Sequence, residues 1–164
     1  MDIAKEMTTT ALIRPSHSLM DEKLATQRLI ETLKQEQELL VGNGEVDEIP
    51  VVISDKANIV AAMAELAGQR HEILTSLGLP ATEDGMQFWI DQCGSEQDKQ
   101  IWNELFVLAQ TARELNRLNG ILVGRQMAIN QGAMNALQGR SNGNFYGPDG
   151  QSKIRNNGRP LAVG

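Results

Sequence analysis

Apolar residues recur along this chain at helical spacing, and nowhere do they alternate with the two-residue period of a strand. The middle of the chain is the cleanest case. Positions 49, 52, 56, 59, 63, 66, 70, 73 and 77 step by three and four and hold Ile, Val, Lys, Ile, Met, Leu, Arg, Ile and Leu. That is a sustained heptad seam. Ile53, Val60, Ala67 and Leu74, each seven from the next, widen it into the stripe of a helix inside a bundle. Pro50 stands where a first turn tolerates it, with Asp47 as a candidate cap. At the other end Gly78 can take the left-handed position, Leu79 can make the capping contact and Pro80 prevents continuation.

Two more helices follow the same arithmetic. The first starts after Ser16 or Ser18, sets Asp21 and Glu22 against the dipole of its first turn, and runs through Leu24, Ile30, Leu33 and Leu40. It stops at Gly42-Asn43-Gly44, which no strand precedes, so this Gly-x-Gly is a helix stop and not a phosphate loop. The last helix steps by four and three through Ile101, Leu105, Leu108, Ala112, Leu115, Asn119, Leu122, Gln126, Ile129, Ala133 and Ala136. Its start at Ser95-x-x-Asp98 resembles a capping box. From Ser95 to Leu137 it is on the order of 60 Å long, against about 40 Å for the middle helix. An antiparallel pair would leave roughly four turns of it overhanging.

Between them a short element from Thr82 to Cys93 carries Phe88, Trp89 and Ile90. In a chain with 4% aromatic residues, this cluster and Trp102 are expected to plug one end of the bundle. The expected fold is therefore all-α: an antiparallel helical bundle or coiled coil with three main helices, the last one long, and a short connecting helix. Residues 1–16 read as a flexible segment, 17–138 as the bundle, and 139–164, with six glycines, as a flexible tail.

Composition adds that 164 residues, 22% charged and 41% apolar, suit one soluble domain. Charge sharpens this. The formal net charge is −6, yet the tail from Gly139 sets Arg140, Lys153, Arg155 and Arg159 against Asp149 alone, which leaves the remainder the more acidic. An acidic body argues against nucleic acid as the main ligand. The tail cations can touch an acidic surface or simply be solvated. No run approaches the ~20 apolar residues that span a bilayer, and the start of the chain has no signal-peptide core, so no membrane insertion and a cytoplasmic location are expected. The single Cys93 fits a reducing compartment.

Catalysis needs polar groups delivered to one place, and the seams deliver few. Their polar residues are Lys56, Arg70, Asn119 and Gln126, none a carboxylate or a histidine. His17 and His71 lie outside the stripes, in no metal-binding spacing, and there is no Walker, Cys-x-x-Cys or Gly-x-Ser-x-Gly sequence. Cys93 reads as a half-buried inert thiol more readily than as a reactive one. The chain is expected to be a binding protein, not an enzyme, with no cofactor or metal.

Asn119 and Gln126 can fix helix register, or they mark where the last helix leaves its own bundle. Ile121-Leu122-Val123, apolar on three sides, favours the second reading. Leu122, Ile129, Ala133 and Leu137 continue the seam beyond, while Met127 and Met134 fall on another side, where their flexible thioethers suit a changing partner. Burying a Leu, Ile or Met contributes about 1.5–3 kcal/mol, so something should cover this stretch. The candidates are the chain's own tail or first helix, a second copy, or a client helix. Gly120, Gly124 and Gly132 each cost about 1 kcal/mol relative to Ala. They suit a segment that folds on binding, or they let another helix come close.

Asn116-Arg117-Leu118-Asn119-Gly120-Ile121-Leu122-Val123, followed by Tyr146-Gly147-Pro148-Asp149-Gly150-Gln151, resembles the signature of the FlgN-type flagellar export chaperones. Glu36-Gln37-Glu38-Leu39-Leu40 and Lys56 are similar to that family in order and spacing. The resemblance covers Ser18 to the C-terminus; residues 1–15 and 81–94 carry none of its pattern. It implies a small cytoplasmic chaperone of the flagellar type III export system. Such a protein binds the C-terminal helical ends of the hook-filament junction proteins FlgK and FlgL, keeps them unpolymerised, and delivers them to the export gate protein FlhA. On that basis client contact maps to Asn119, Leu122, Gln126, Met127, Ile129, Ala133, Met134 and Leu137. Gate contact maps to Tyr146, Gly147, Asp149 and Gly150. The alternative is a structural coiled-coil or adaptor protein that homodimerises through its distal helix, and a client-free chaperone could also form such a homodimer.

Overall fold

Four α-helices make up most of the computed structural model, which describes residues 13–141, and no strand occurs among the described residues. They are α1 (Leu19–Leu40), α2 (Ile49–Ser76), α3 (Glu83–Cys93) and α4 (Glu96–Ser141), with 3₁₀ turns at Pro15–Ser18 and Val46–Glu48. The segments expected to be flexible, 1–16 and 139–164, fall largely outside the described residues. The chain divides into two compact units between Gly124 and Arg125.

Local chemistry sets the helix ends. Gly42 and Gly78 take φ of +86° and +74°, the left-handed region that favours glycine. Each is followed by the long capping bond: Asn43 N–H donates to Glu38 O and Leu79 N–H to Leu74 O, both at 2.9 Å. Ser95 and Asp98 form the expected reciprocal box, with Ser95 N–H donating to Asp98 Oδ2 at 2.9 Å and Asp98 N–H to Ser95 Oγ at 3.1 Å. Thr82 caps α3 by accepting from Gly85 N–H at 3.2 Å. Two expected caps are absent. Ser18 precedes α1 without a side-chain cap bond, because its hydroxyl donates to Glu22 instead. Glu48, not Asp47, stands at the N-cap of α2, and Pro50 sits in the first turn behind it.

Cross-helix bonds fix the topology of the first unit. Arg70 meets Glu22 and Lys56 meets Glu36, so α2 runs antiparallel to α1. Lys23 meets Glu104 and Glu36 meets Asn119, so α4 up to Gly124 runs parallel to α1. One core gathers Leu19, Leu74, Met86, Trp89, Ile90, Trp102 and Leu105; a second holds Ile30, Leu33 and Ala112.

The aromatic plug exists, but without Phe88. Trp89, Ile90 and Trp102 are buried and Phe88 is exposed, because neighbours on a helix are turned by about 100° and cannot all face one way. Trp102 reaches α3 through its indole N–H, which donates to Gln87 Oε1 at 2.8 Å. Leu24, read as a core position, is half exposed. So are Ile53 and Val60, at 50% and 49%, and the stripe of α2 is narrower than its spacing suggests.

Candidate client-binding surface

Polar pins hold the proximal part of α4 to its neighbours. Asn119 is 2% exposed, and its Nδ2 donates to Leu33 O at 2.8 Å and Glu36 Oε2 at 2.9 Å. The other oxygen of Glu36 accepts from Lys56 Nζ, so one buried carboxylate ties α1, α2 and α4 together. A second pin lies nearer the plugged end. Arg70, 3% exposed, donates through Nε and Nη2 to Glu22 at 3.1–3.3 Å, reaches Glu83, and lies 5.2 Å over the Trp102 ring. A buried charge is tolerated only when it is paired and hydrogen-bonded, and both pins meet that condition.

The sequence reading found the seam cations and Asn119 but missed their acids. A signal was present: Glu22 and Glu36 are two heptads apart with Leu29 midway, on one face of α1.

Burial along α4 stops abruptly after Asn119. Leu122 is half-buried, and every residue from Val123 to Gly139 is exposed. Met127 and Leu137 are each 67% exposed, Ile129 is 56% and Met134 55%. Within the second unit, at about 100° per residue, Met127 and Met134 lie over one another. Ile129 and Ala133 form a neighbouring row, and Leu137 falls between the two. The apolar side chains thus cover roughly half of the helix circumference. Of the sequence-predicted client residues, Gln126, Met127, Ile129, Ala133, Met134 and Leu137 share this exposed stretch, whereas Asn119 has its amide nitrogen committed to α1.

The glycines do not serve close packing. A Cβ at Gly120, Gly124 or Gly132 would meet no atom within 4 Å. Arg117 is engaged within its own helix, donating to Glu114 at 2.7 and 2.8 Å; these bonds hold the Glu114 carboxyl below its ordinary range. Tyr146, Gly147, Asp149 and Gly150 lie outside the described residues.

Other chemistry is sparse. Cys93 is exposed, not half-buried. Among the described residues no three His, Cys, Asp or Glu side chains gather as a metal site needs. No described helix is long and apolar enough to cross a membrane.

Comparison with protein families decides what this bundle belongs to. The model described as FlgN protein matches residues 7–154, which includes both sequence strings quoted above. The chain belongs to the FlgN family. FlgN proteins are flagellar chaperones and not enzymes. The match also runs through residues 81–94, so the α3 region, which carries none of the family strings, lies within the family's span. Flagella synthesis protein FlgN of Proteus mirabilis is 24% identical over 122 residues, 74% of this chain and 77% of that protein. The protein of the same name from Yersinia enterocolitica serotype O:8, biotype 1B, is 24% identical over 136 residues, 82% of this chain and 86% of that one. No solved structure matches the chain.

Proposed function

We propose that this chain is a cytoplasmic export chaperone that holds the C-terminal helical ends of FlgK and FlgL on the distal part of α4. The observation that carries the reading is the exposed arc of Met127, Ile129, Met134 and Leu137, apolar side chains with no cover among the described residues. An amphipathic client helix laid on this arc would bury its own apolar face together with the arc, and so hide the surface through which clients would polymerise. Leu122, Gln126 and Ala133 complete the client row, and Asn119 anchors its proximal end. The FlgN name of the relatives and the family match place the chain in flagellar synthesis, which is where such clients occur.

The test is co-elution. Ile129→Asp and Leu137→Asp change side chains that are more than half exposed, so helicity and melting temperature should stay near wild type while co-elution with FlgK and FlgL is lost. Full client binding by both folded variants would sink the assignment.

The second half of the proposal is delivery to FlhA through Tyr146, Gly147, Asp149 and Gly150. Tyrosine offers large apolar area and one polar tip at low conformational cost, a common basis for a contact residue. Tyr146→Ala should leave client co-elution intact and reduce capture of the client-loaded chaperone by the FlhA cytosolic domain. Unchanged capture would remove the tail from the mechanism.

A further inference from the structure

The uncharged stretch Met7-Thr8-Thr9-Thr10-Ala11-Leu12 precedes the described residues, and the chain that follows it is fixed at once. Pro15 is fully buried. Arg14 donates to Cys93 O and to Asp98 Oδ2, each at 3.1 Å, and its guanidinium lies 5.2 Å over the Trp89 ring. Ile13, one residue earlier, is 63% exposed. The stretch therefore leaves the bundle where α3 ends and α4 begins. The FlgN match starts at residue 7, so these six residues lie inside the family's span.

A groove of about 430 Å³ opens between one and three turns further along α4. It is lined by Lys23 and Gln27 of α1 and by Asn103, Glu104, Val107 and Leu108 of α4. Val107 is 60% exposed, and Met20 and Leu24, on the same face of α1 as Lys23 and Gln27, are exposed too. The two charges of the groove, Lys23 and Glu104, are paired with each other, so it offers no free charge to an acidic or a basic ligand. Gln27 and Asn103 are exposed amides with no hydrogen-bond partner among the described residues. Each is both donor and acceptor, which complements an extended backbone; a helix keeps its own N–H and C=O groups to itself.

We propose that residues 7–12 of the same chain cross this groove in extended form, as a strap that joins α1 to α4. The neutral stretch matches the neutral groove, and the branched Cβ atoms of Thr8, Thr9 and Thr10 favour an extended backbone. Met7 and Leu12, on either side of the threonine run, bring the apolar side chains that Val107 and Leu108 lack. Reach is sufficient: Asp98 to Leu108 is about 15 Å of helix, and six extended residues span about 20 Å. Tethering decides between occupants. A segment held at Arg14 faces the groove at millimolar effective concentration, so a separate molecule would have to displace it. The strap acts within the first unit and stands apart from where clients bind.

The test is paramagnetic broadening in the full, methyl-labelled chain. A nitroxide on Thr9→Cys, in a Cys93→Ser background, should abolish the signals of Val107 and Leu108. Those of Val51 and Ile53, at the far end of the α1–α2 pair, should persist. Val107→Asp changes an exposed side chain, so the fold survives and the Leu108 signal should return. Phe106→Asp is the control. Phe106 is equally exposed but turned about 100° from Val107, so the signals of Val107 and Leu108 should stay lost.

Three results would overturn the proposal. Persistence of the Val107 and Leu108 signals in the spin-labelled chain would mean that the stretch lies elsewhere. Continued loss of the Leu108 signal in Val107→Asp would mean that the groove does not hold it. The third comes from a mixture in which spin-labelled and methyl-labelled chains are different molecules: signal loss there would make the occupant the same stretch of a second copy.

Discussion

At the scale of single residues, Asn119 shows how a polar side chain can specify a bundle. Its Nδ2 satisfies Glu36 and adds a bond to the Leu33 carbonyl, whereas its Oδ1 is buried with no partner among the described residues. Asn119→Ala removes two hydrogen bonds together with the unsatisfied oxygen, and should cost about 1–2 kcal/mol in chemical denaturation. Asn119→Asp is the sharper probe. It replaces the donor facing Glu36 with a second acceptor, and buried carboxylates in contact cannot both ionise cheaply. The introduced carboxyl would have its folded-state pKa raised above the unfolded value near 3.9. Its penalty is therefore absent below that value and grows as pH rises. At pH 7 Asn119→Asp should be clearly less stable than Asn119→Ala, and the gap should narrow as pH falls toward 4. A gap independent of pH would mean that position 119 does not face Glu36.

At the scale of helices, the start of α4 makes a prediction of opposite sign. Burial pushes the Asp98 carboxyl up, but hydrogen bonds from the Ser95 amide and from the Ser95 and Ser16 side chains, with the Arg14 charge, outweigh it and leave it below its ordinary value of 3.8. A carboxyl depressed in the folded state stabilises the fold above its unfolded value, and that contribution fades as pH falls through the folded one. Asp98→Ala should cost about 1 kcal/mol near neutrality, as loss of a capping partner does, and the difference from wild type should shrink below about pH 4. Melting curves at pH 7 and pH 3.5 check both parts, and a difference unchanged at the lower pH would sink the linkage.

The same helix shows what was legible in the sequence. Turn and cap chemistry is local, so Gly42, Gly78, Ser95 and Asp98 announce their roles within a few residues. Periodicity gives the number and type of helices for the same reason. What it cannot give is which flank of a wide stripe finds a partner. Ile53 and Val60 look like core by spacing, yet Ala57, Ala109 and Ala112 leave a trough beside them. Phe88 belongs to an aromatic cluster in sequence but faces away from Trp89 in space. The acids Glu22 and Glu36 were hidden because burial of a carboxylate depends on partners 48 and 20 residues away. The exposure of the stretch proposed for the client, from Val123 to Leu137, was legible because apolar residues there exceed what one packed face requires.

At the scale of the whole molecule, the buried side chains and both cores belong to the first unit, while the described side chains of the second, from Arg125 to Gly139, are all exposed. A helical segment without packed side chains is held by its own hydrogen bonds and propensities, and these are marginal for a short stretch in water. Gly120, Gly124 and Gly132 lower the propensity further without serving any contact, since a Cβ at each would meet open space. If client binding draws on a helix that is only partly populated, apparent affinity is reduced by that fraction. Replacing the three glycines by alanine adds about 1 kcal/mol of helix stability at each site with no steric obstacle. The triple variant should show slower amide exchange between Leu122 and Leu137 and bind the C-terminal ends of FlgK and FlgL more tightly. It should also release them more slowly, because a preorganised helix mainly lowers the off-rate. Slow release would then hinder the proposed hand-over at the gate, so a tighter-binding chaperone should support less export. Exchange and client affinity both unchanged would mean that the free helix is already fully formed and that its glycines do not tune binding.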